Sequence, residues 1–280
     1  MNNINFSHIH HISTGYLKTF FTSYQPLFVL NTGRSGSAFV NNLLQSIQDI
    51  KSYHEASPNM FLQSNYAYHN QEKKEVLQKM FEVARIELML EASLKRKIYV
   101  ESNQCLVFFI YQIKTLFPKA KFVHLTRHPG DFVTSAIKKG WHKNDSVWEY
   151  GRVKMEEEKR WMDLSQIERL GWVWRETHSY IEDFKLIYPK DFLTLKLEDL
   201  TTKASNINAL LKFIGSKNSL EENKLYSILQ TKVNEVIISD EPKNMHKLAT
   251  YPKYSSWPDS DKDDLKKFVS ESASLYQYIM

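Results

Sequence analysis

A single cysteine, Cys105, stands in the 280 residues. The chain therefore forms no internal disulfide, and its thiol content gives no reason to place it in an oxidising compartment. Cys105 itself reads as a small buried apolar residue at a helix start. Long apolar runs are missing too: no stretch approaches the ~20 residues that a membrane-crossing helix needs. The segment before Pro26 holds Phe20 and Phe21 but is interrupted by His8, His10, His11, Lys18 and Gln25, without the apolar centre of a signal peptide. A cytoplasmic protein with no membrane span is the expectation. The three histidines have no cysteine, carboxylate or further histidine at a ligand spacing, so a solvated tail is expected there rather than a metal site. Repeats and low-complexity tracts are absent. Charge of one sign is also scarce: 37 Lys and Arg against 32 Asp and Glu give a net charge of +5, which suits an anionic ligand and does not call for nucleic acid.

What the chain does have is a core. With 42% hydrophobic and 13% aromatic residues it can fold as one domain. The expected layout is an N-terminal extension over 1–25, a core over 26–140, and a helical and C-terminal part of the same domain over 141–280. The organising stretch begins at Leu27. Leu27, Phe28, Val29 and Leu30 form a short continuous apolar run of the kind that makes a strand buried on both faces. Asn31, Thr32, Gly33, Arg34, Ser35, Gly36 and Ser37 follow, and then Phe39, Val40, Leu43, Leu44 and Ile47 recur at helical spacing. A small polar loop between a strand end and a helix start is a natural anion site. The first turn carries unpaired N–H groups and a partial positive charge, and glycines let the backbone wrap closely. Arg34 adds a permanent cation, and Ser35 and Ser37 add hydroxyls. The loop nevertheless departs from G-x-x-x-x-G-K-[ST], because no lysine follows Gly36 and no lysine accompanies a magnesium-holding hydroxyl, so an ordinary ATPase is disfavoured.

Further strands are expected at 50–53, 97–100, 122–125 and 192–197, alternating with helices over 71–94, 106–117, from Pro129, over 173–188 and over 207–214, with Gly215 as C-cap. Additional helices are expected over 220–229 and 265–278, with an irregular stretch over 240–258 between them. The charged run 152–170 reads as a solvated helix. Strands alternating with helices point to an α/β fold with a mainly parallel sheet. In such sheets ligands bind at the carboxyl ends of the strands, where the chain places Arg34, Glu55, Asn103 and Arg127.

Two separated motifs then carry a family resemblance. Thr32-Gly33-Arg34-Ser35-Gly36-Ser37 resembles the 5′-phosphosulfate loop of sulfotransferases that use 3′-phosphoadenosine 5′-phosphosulfate (PAPS), in the arginine form of carbohydrate and tyrosyl-protein sulfotransferases. Arg127-His128-Pro129-Gly130-Asp131, with Ser135 eight residues after the arginine, is similar to that family's 3′-phosphate motif. Lys196-Leu197-Glu198-Asp199-Leu200 is similar to a late structural segment. The likeness implies a P-loop-like three-layer sandwich with a central mainly parallel sheet flanked by helices.

It also implies PAPS as sulfuryl donor with no metal required, and an acceptor hydroxyl on a carbohydrate, glycolipid or related metabolite. Thr32, Gly33, Arg34, Ser35, Gly36, Ser37 and Ala38 would hold the 5′ end of the donor, and Arg127 and Ser135 its 3′-phosphate, with Lys247 or Tyr254 from a late loop nearby. Ala38 stands where the family often has Thr or Ser. Glu55 is the expected general base, with His54 as its rival. Arg34, permanently charged, would act electrostatically on the transferred group. Glu101 and Asn103 either face the acceptor or satisfy strand-end groups, and Trp172 and Trp174 read as core aromatics. A nucleotide-dependent phosphotransferase and a non-catalytic nucleotide-binding module remain the alternatives.

Overall fold

The computed structural model describes residues 12–143, 147–218 and 250–280. Along the chain lie α1 (Thr14–Ser23), β1 (Leu27–Leu30), α2 (Ser37–Gln45), β2 (Ile50–His54), α3 (Phe61–His69), α4 (Lys74–Leu94), β3 (Ile98–Ser102) and a 3-10 turn (Gln104–Phe109). They are followed by α5 (Ile110–Leu116), β4 (Lys121–Thr126), α6 (Pro129–Lys138), α7 (Val147–Tyr150), α8 (Glu158–Asp163), α9 (Gln166–Ile187), β5 (Phe192–Lys196), α10 (Leu197–Leu200), α11 (Ala204–Ile214) and α12 (Asp259–Leu275).

The five strands are all parallel, in the order β2-β3-β1-β4-β5. β1 is central, and every one of its residues is buried, which is why its sequence is apolar without alternation. Phe28 and Leu30 point into a cluster with Phe81, Tyr99, Ile113, Phe122 and Phe184, while Leu27 and Val29 point into the opposite cluster with Leu43, Leu44, Val123, Leu210 and Ile214. Helices therefore cover both faces. A third cluster joins α6, α9 and α12 through Phe132, Leu170, Trp174, Leu265 and Val269.

The strand order places β3 on one side of β1 and β4 on the other. The chain thus leaves β1 at a topological switch point, where the flanking connections diverge and open a crevice. Register brings the strand ends level: Val29 pairs with Ser102, His54 with Ser102, Leu30 with His124, and Thr126 with Lys196. The loops after β1, β2, β3 and β4 share one rim, as the sequence leads one to expect.

Two segments differ from expectation. Residues 61–69 form α3, which has no apolar stripe to announce it: its buried residues are Ser64 and Ala67. The charged run 152–170 is not one solvated helix. It breaks at Ser165, which caps α9 in a reciprocal capping box with Glu168, and it buries Trp161 and most of the Arg152 side chain. Within the segment before Pro26, α1 buries Phe20, whose ring meets Phe117 edge-on at 5.2 Å. The helix expected over 220–229 lies outside the described residues. No helix among the described residues is long and apolar enough to cross a membrane.

Candidate active site

The loop after β1 is shaped from within. The Asn31 side chain accepts from the Gly33 N–H (2.7 Å) and donates to the Val29 carbonyl (3.1 Å), turning the chain as it leaves the strand. Thr32 Oγ1 and Ser35 Oγ are 2.8 Å apart, and both hydroxyls donate to the Gly33 carbonyl. Gly36, the residue before α2, has φ of +85°, and a Cβ there would lie 2.2 Å from Leu197 Cδ1. Gly33 has φ of +74°, and a Cβ on it would strike the Gln104 side chain at 2.2 Å and the Trp141 ring at 2.6 Å. At both positions a side chain would be strained by the backbone and would have to displace its neighbours.

The two motifs meet. The Arg127 Nη1 donates to the Arg34 carbonyl (2.6 Å), and the Arg34 Nε donates to Ser135 Oγ (3.1 Å), across sequence separations of 93 and 101 residues. Pro129 occupies the first turn of α6, and the His128 side chain caps that helix by accepting from the Gly130 N–H. Ser135 therefore lies along α6 where it can face Arg34. Burial lowers the Arg127 guanidinium below its ordinary value against the opposing charges of Asp131 and Glu198, yet an arginine remains protonated at neutral pH. The Arg127 carbonyl accepts from Trp174 Nε1 (3.1 Å), so Trp174, fully buried, supports this loop from the core. Tyr254 stands against His128, with ring centroids 5.0 Å apart. Ala38 is partly exposed on the first turn of α2, and Lys247 lies outside the described residues.

Next to this cationic rim stand the two candidate bases. His54 Nε2 is 3.0 Å from Ser37 Oγ, so that nitrogen is engaged by the first residue of α2. Glu55 accepts from Gln104 Nε2 at 3.3 Å, and its own backbone is tied to the Ser102 carbonyl (3.0 Å). Its φ is +48°, a left-handed conformation that a glutamate adopts only when its surroundings impose it. Among the described residues five non-glycines have positive φ, and three of them, Arg34, Glu55 and His142, belong to this rim. Strain gathers where the loops converge.

Glu101 does not face the rim. It is fully buried, accepting from Arg85 Nε (2.7 Å), Tyr99 Oη (2.7 Å) and Asn103 Nδ2 (2.9 Å). Asn103 in turn caps the 3-10 turn by accepting from the Cys105 N–H. Arg85 also donates to the carbonyls of Ala56 (3.0 Å) and Pro58 (3.0 Å), so it clamps the segment that follows Glu55. Sequence reading passes over Arg85, although a signal exists: it falls four residues after Phe81 and four before Met89 on the buried stripe of α4, an arginine in an apolar series. Gln104 is likewise missed, because nothing local marks its contact with Glu55.

Beside Gln104 a cavity of about 50 Å³ opens, walled among others by Thr32, Phe61, Cys105, Phe108, Trp141 and Arg152. Cys105 is buried, and burial raises its thiol far above the ordinary range, so it stays protonated and serves as wall. No cluster of three or more His, Cys, Asp or Glu side chains suited to a metal ion occurs among the described residues.

With this geometry in place, comparison with known proteins identifies relatives. The family model described as "Sulfotransferase family" matches residues 26–217. No curated protein sequence matches the chain. Among solved structures, mouse sulfotransferase SULT7A1 complexed with PAP superposes with a TM-score of 0.52 at 14% identity, covering 95% of this chain and 93% of that one. Sulfotransferase STF9 from Mycobacterium avium gives 0.51 at 11% identity, covering 92% of this chain and 78% of that one. At such identities the likeness is one of fold.

Proposed function

The chain belongs to the sulfotransferase family, and from that premise we propose that it moves a sulfuryl group from PAPS to an acceptor hydroxyl, on a carbohydrate, glycolipid or related metabolite. The observation that carries this reading is the hydrogen-bonded meeting of Arg34 with Arg127 and Ser135 at one rim. A donor with two separated anionic ends needs two adjacent cationic sites, and an ADP-like ligand would need only one. The donor set fits: backbone N–H groups at the start of α2 with Arg34, Ser35 and Ser37 for the 5′ end, and Arg127 with Ser135 for the 3′-phosphate. The solved complex of SULT7A1 with PAP supports the same reading by likeness of fold.

In the proposed reaction the Glu55 carboxylate accepts the proton of the acceptor hydroxyl. The freed oxygen bonds to sulfur as the bond from sulfur to the 5′-phosphate oxygen breaks, and 3′-phosphoadenosine 5′-phosphate (PAP) leaves. Arg34 and the helix N-terminus stabilise charge on the transferring group and on the leaving oxygen. Glu55 is preferred to His54 as base because His54 Nε2 is taken by Ser37, whereas Glu55 stands beside Gln104, a wall of the cavity. The donor supplies the sulfuryl group, and the protein supplies position and field.

Calorimetric titration with PAP, ADP and magnesium-ATP tests the reading. PAP is expected to bind clearly tighter than ADP. Equal affinity, or preference for magnesium-ATP, would hand the reading to a phosphotransferase or a non-catalytic module, which turnover of magnesium-ATP separates. Tight PAPS binding without product from any acceptor would also leave a non-catalytic module.

A further inference from the structure

On the cavity side of the rim stands an arginine whose donors are only partly used. The Arg152 guanidinium lies over the Trp141 ring at 3.7 Å from its centroid, with its side chain about 11% exposed. Its Nε donates to Glu149 Oε1 at 2.8 Å. The other carboxylate oxygen of Glu149 accepts from the His142 N–H at 3.1 Å, so Glu149 is held by both oxygens and is fixed on the Nε side. Among the described residues no acceptor meets the two terminal nitrogens of Arg152, and the residue forms part of the cavity wall together with Thr32, Gln104 and Phe61.

Three cations, Arg152, Lys154 and Arg169, gather here with the carboxylates of Glu149 and Glu55. Arg169 directs its three nitrogens to the carbonyls of Trp161, His142 and Met162, so its charge meets no carboxylate there. Burial, then the charges of Arg152, Lys154 and Arg169, hold His142 well below its ordinary pKa, in the neutral form. A planar guanidinium with one edge open binds a carboxylate through two parallel hydrogen bonds. The dimensions set a limit as well. A water-sized group needs roughly 10–15 Å³, so a space of about 50 Å³ has room for a small group such as a carboxylate.

We propose that Arg152 anchors the acceptor, and that the acceptor is a hydroxylated compound bearing a carboxylate, its acid group on the open edge of Arg152 and its hydroxyl toward Glu55. This rests on the sulfuryl-transfer reading of the site. The carboxylate can come from a sugar acid or from a hydroxylated chain acid, and the test separates the two.

The PAP-saturated protein is titrated with glucuronate against glucose, and with 3-hydroxybutyrate against its amide. At least one acid is expected to bind tenfold or more tighter than its neutral counterpart, and the pair that responds identifies the source. Arg152→Gln is expected to abolish the difference while PAP still binds, which shows the variant to be folded. Should that variant fail to fold, Arg152→Lys keeps the charge without the planar fork and is expected to lose most of the preference. Equal binding of acid and neutral compound, no binding of either acid at millimolar concentration, or a preference that survives substitution of Arg152 overturns the proposal. The same titrations without PAP separate the two readings. Acid preference at Arg152 with no selectivity for PAP over ADP would remove the donor assignment alone, and PAP selectivity without acid preference would remove this one alone.

Discussion

Two buried arginines flank Glu55, and they are used differently. Arg85 is fully enclosed, and its Nε, Nη1 and Nη2 all donate, to Glu101 and to the carbonyls of Ala56, Pro58 and Ala84. Arg152 is nearly as enclosed, yet its one hydrogen bond among the described residues runs from Nε to Glu149, and its remaining donors border a cavity. A buried charge is tolerated only when paired and hydrogen-bonded. The fully satisfied arginine is therefore a fastener for the loop carrying Glu55, and the half-satisfied one is a place for a ligand. Arg127 is intermediate, with Nη1 fixed on the Arg34 carbonyl at the rim.

The contrast can be broken at several points. Arg85→Met should cost about 3–5 kcal/mol of stability, the usual penalty for stranding one partner of a buried pair. Denaturant unfolding measures it, and a loss under ~1 kcal/mol would mean that the Glu101 network does not fasten the loop. Glu55→Gln should lower transfer by about 10²- to 10⁴-fold while PAP affinity stays close to wild type. Retained turnover would move the base to His54. Arg127→Ala should weaken PAP binding by at least ~2 kcal/mol, as expected for a charge-assisted contact to phosphate, and an unchanged dissociation constant would remove the 3′-phosphate assignment.

Acid sharpens the comparison further. Burial lowers His124, His142 and His178 from the ordinary value of 6.5, so each takes up a proton on unfolding once the pH falls below that value. Stability should be level above pH ~6.5 and fall below it, by up to ~1.4 kcal/mol per pH unit for each histidine. His142, 3.3 Å from Glu149 beside Arg152, and the His124–His178 pair, 2.7 Å apart between β4 and α9, should then be separable by replacing them one at a time. The smallest effect belongs to Arg152→Gln: the amide can still donate to Glu149, so the loss of unfolding stability is expected to stay below that of Arg85→Met. A loss as large as that of Arg85 would make the two arginines equivalent and remove the distinction.

How far the chain could be read in advance follows the same division. The parallel sheet was legible because β1 is an unbroken apolar run and the other strand candidates alternate with helices, most of which repeat at three and four residues. The loop 32–37 was legible as a turn between a strand and a helix because two glycines among small polar residues interrupt an apolar run and a helical period. Glu55 and Arg127 stood out as polar residues at strand ends. Residues 61–69 did not show as a helix, since Ser64 and Ala67 face the core where larger apolar residues would have marked a period. Arg152 looked solvated, because a charged run gives no sign of which member a tryptophan outside it will cover.

Local chemistry along the chain thus determined most of the strands and helices and the glycine turn after β1, since hydrophobic period and backbone freedom are properties of neighbours in sequence. Only the tertiary structure decided that Arg34 meets Ser135 and Arg127, that Arg85 holds the segment after Glu55, and that Arg152 lies on Trp141 with an edge open. Those contacts, apart from the one with Trp141, join residues on elements that are far apart in the chain, and the parallel order of the strands, fixed by packing on both faces, is what brings them to one rim.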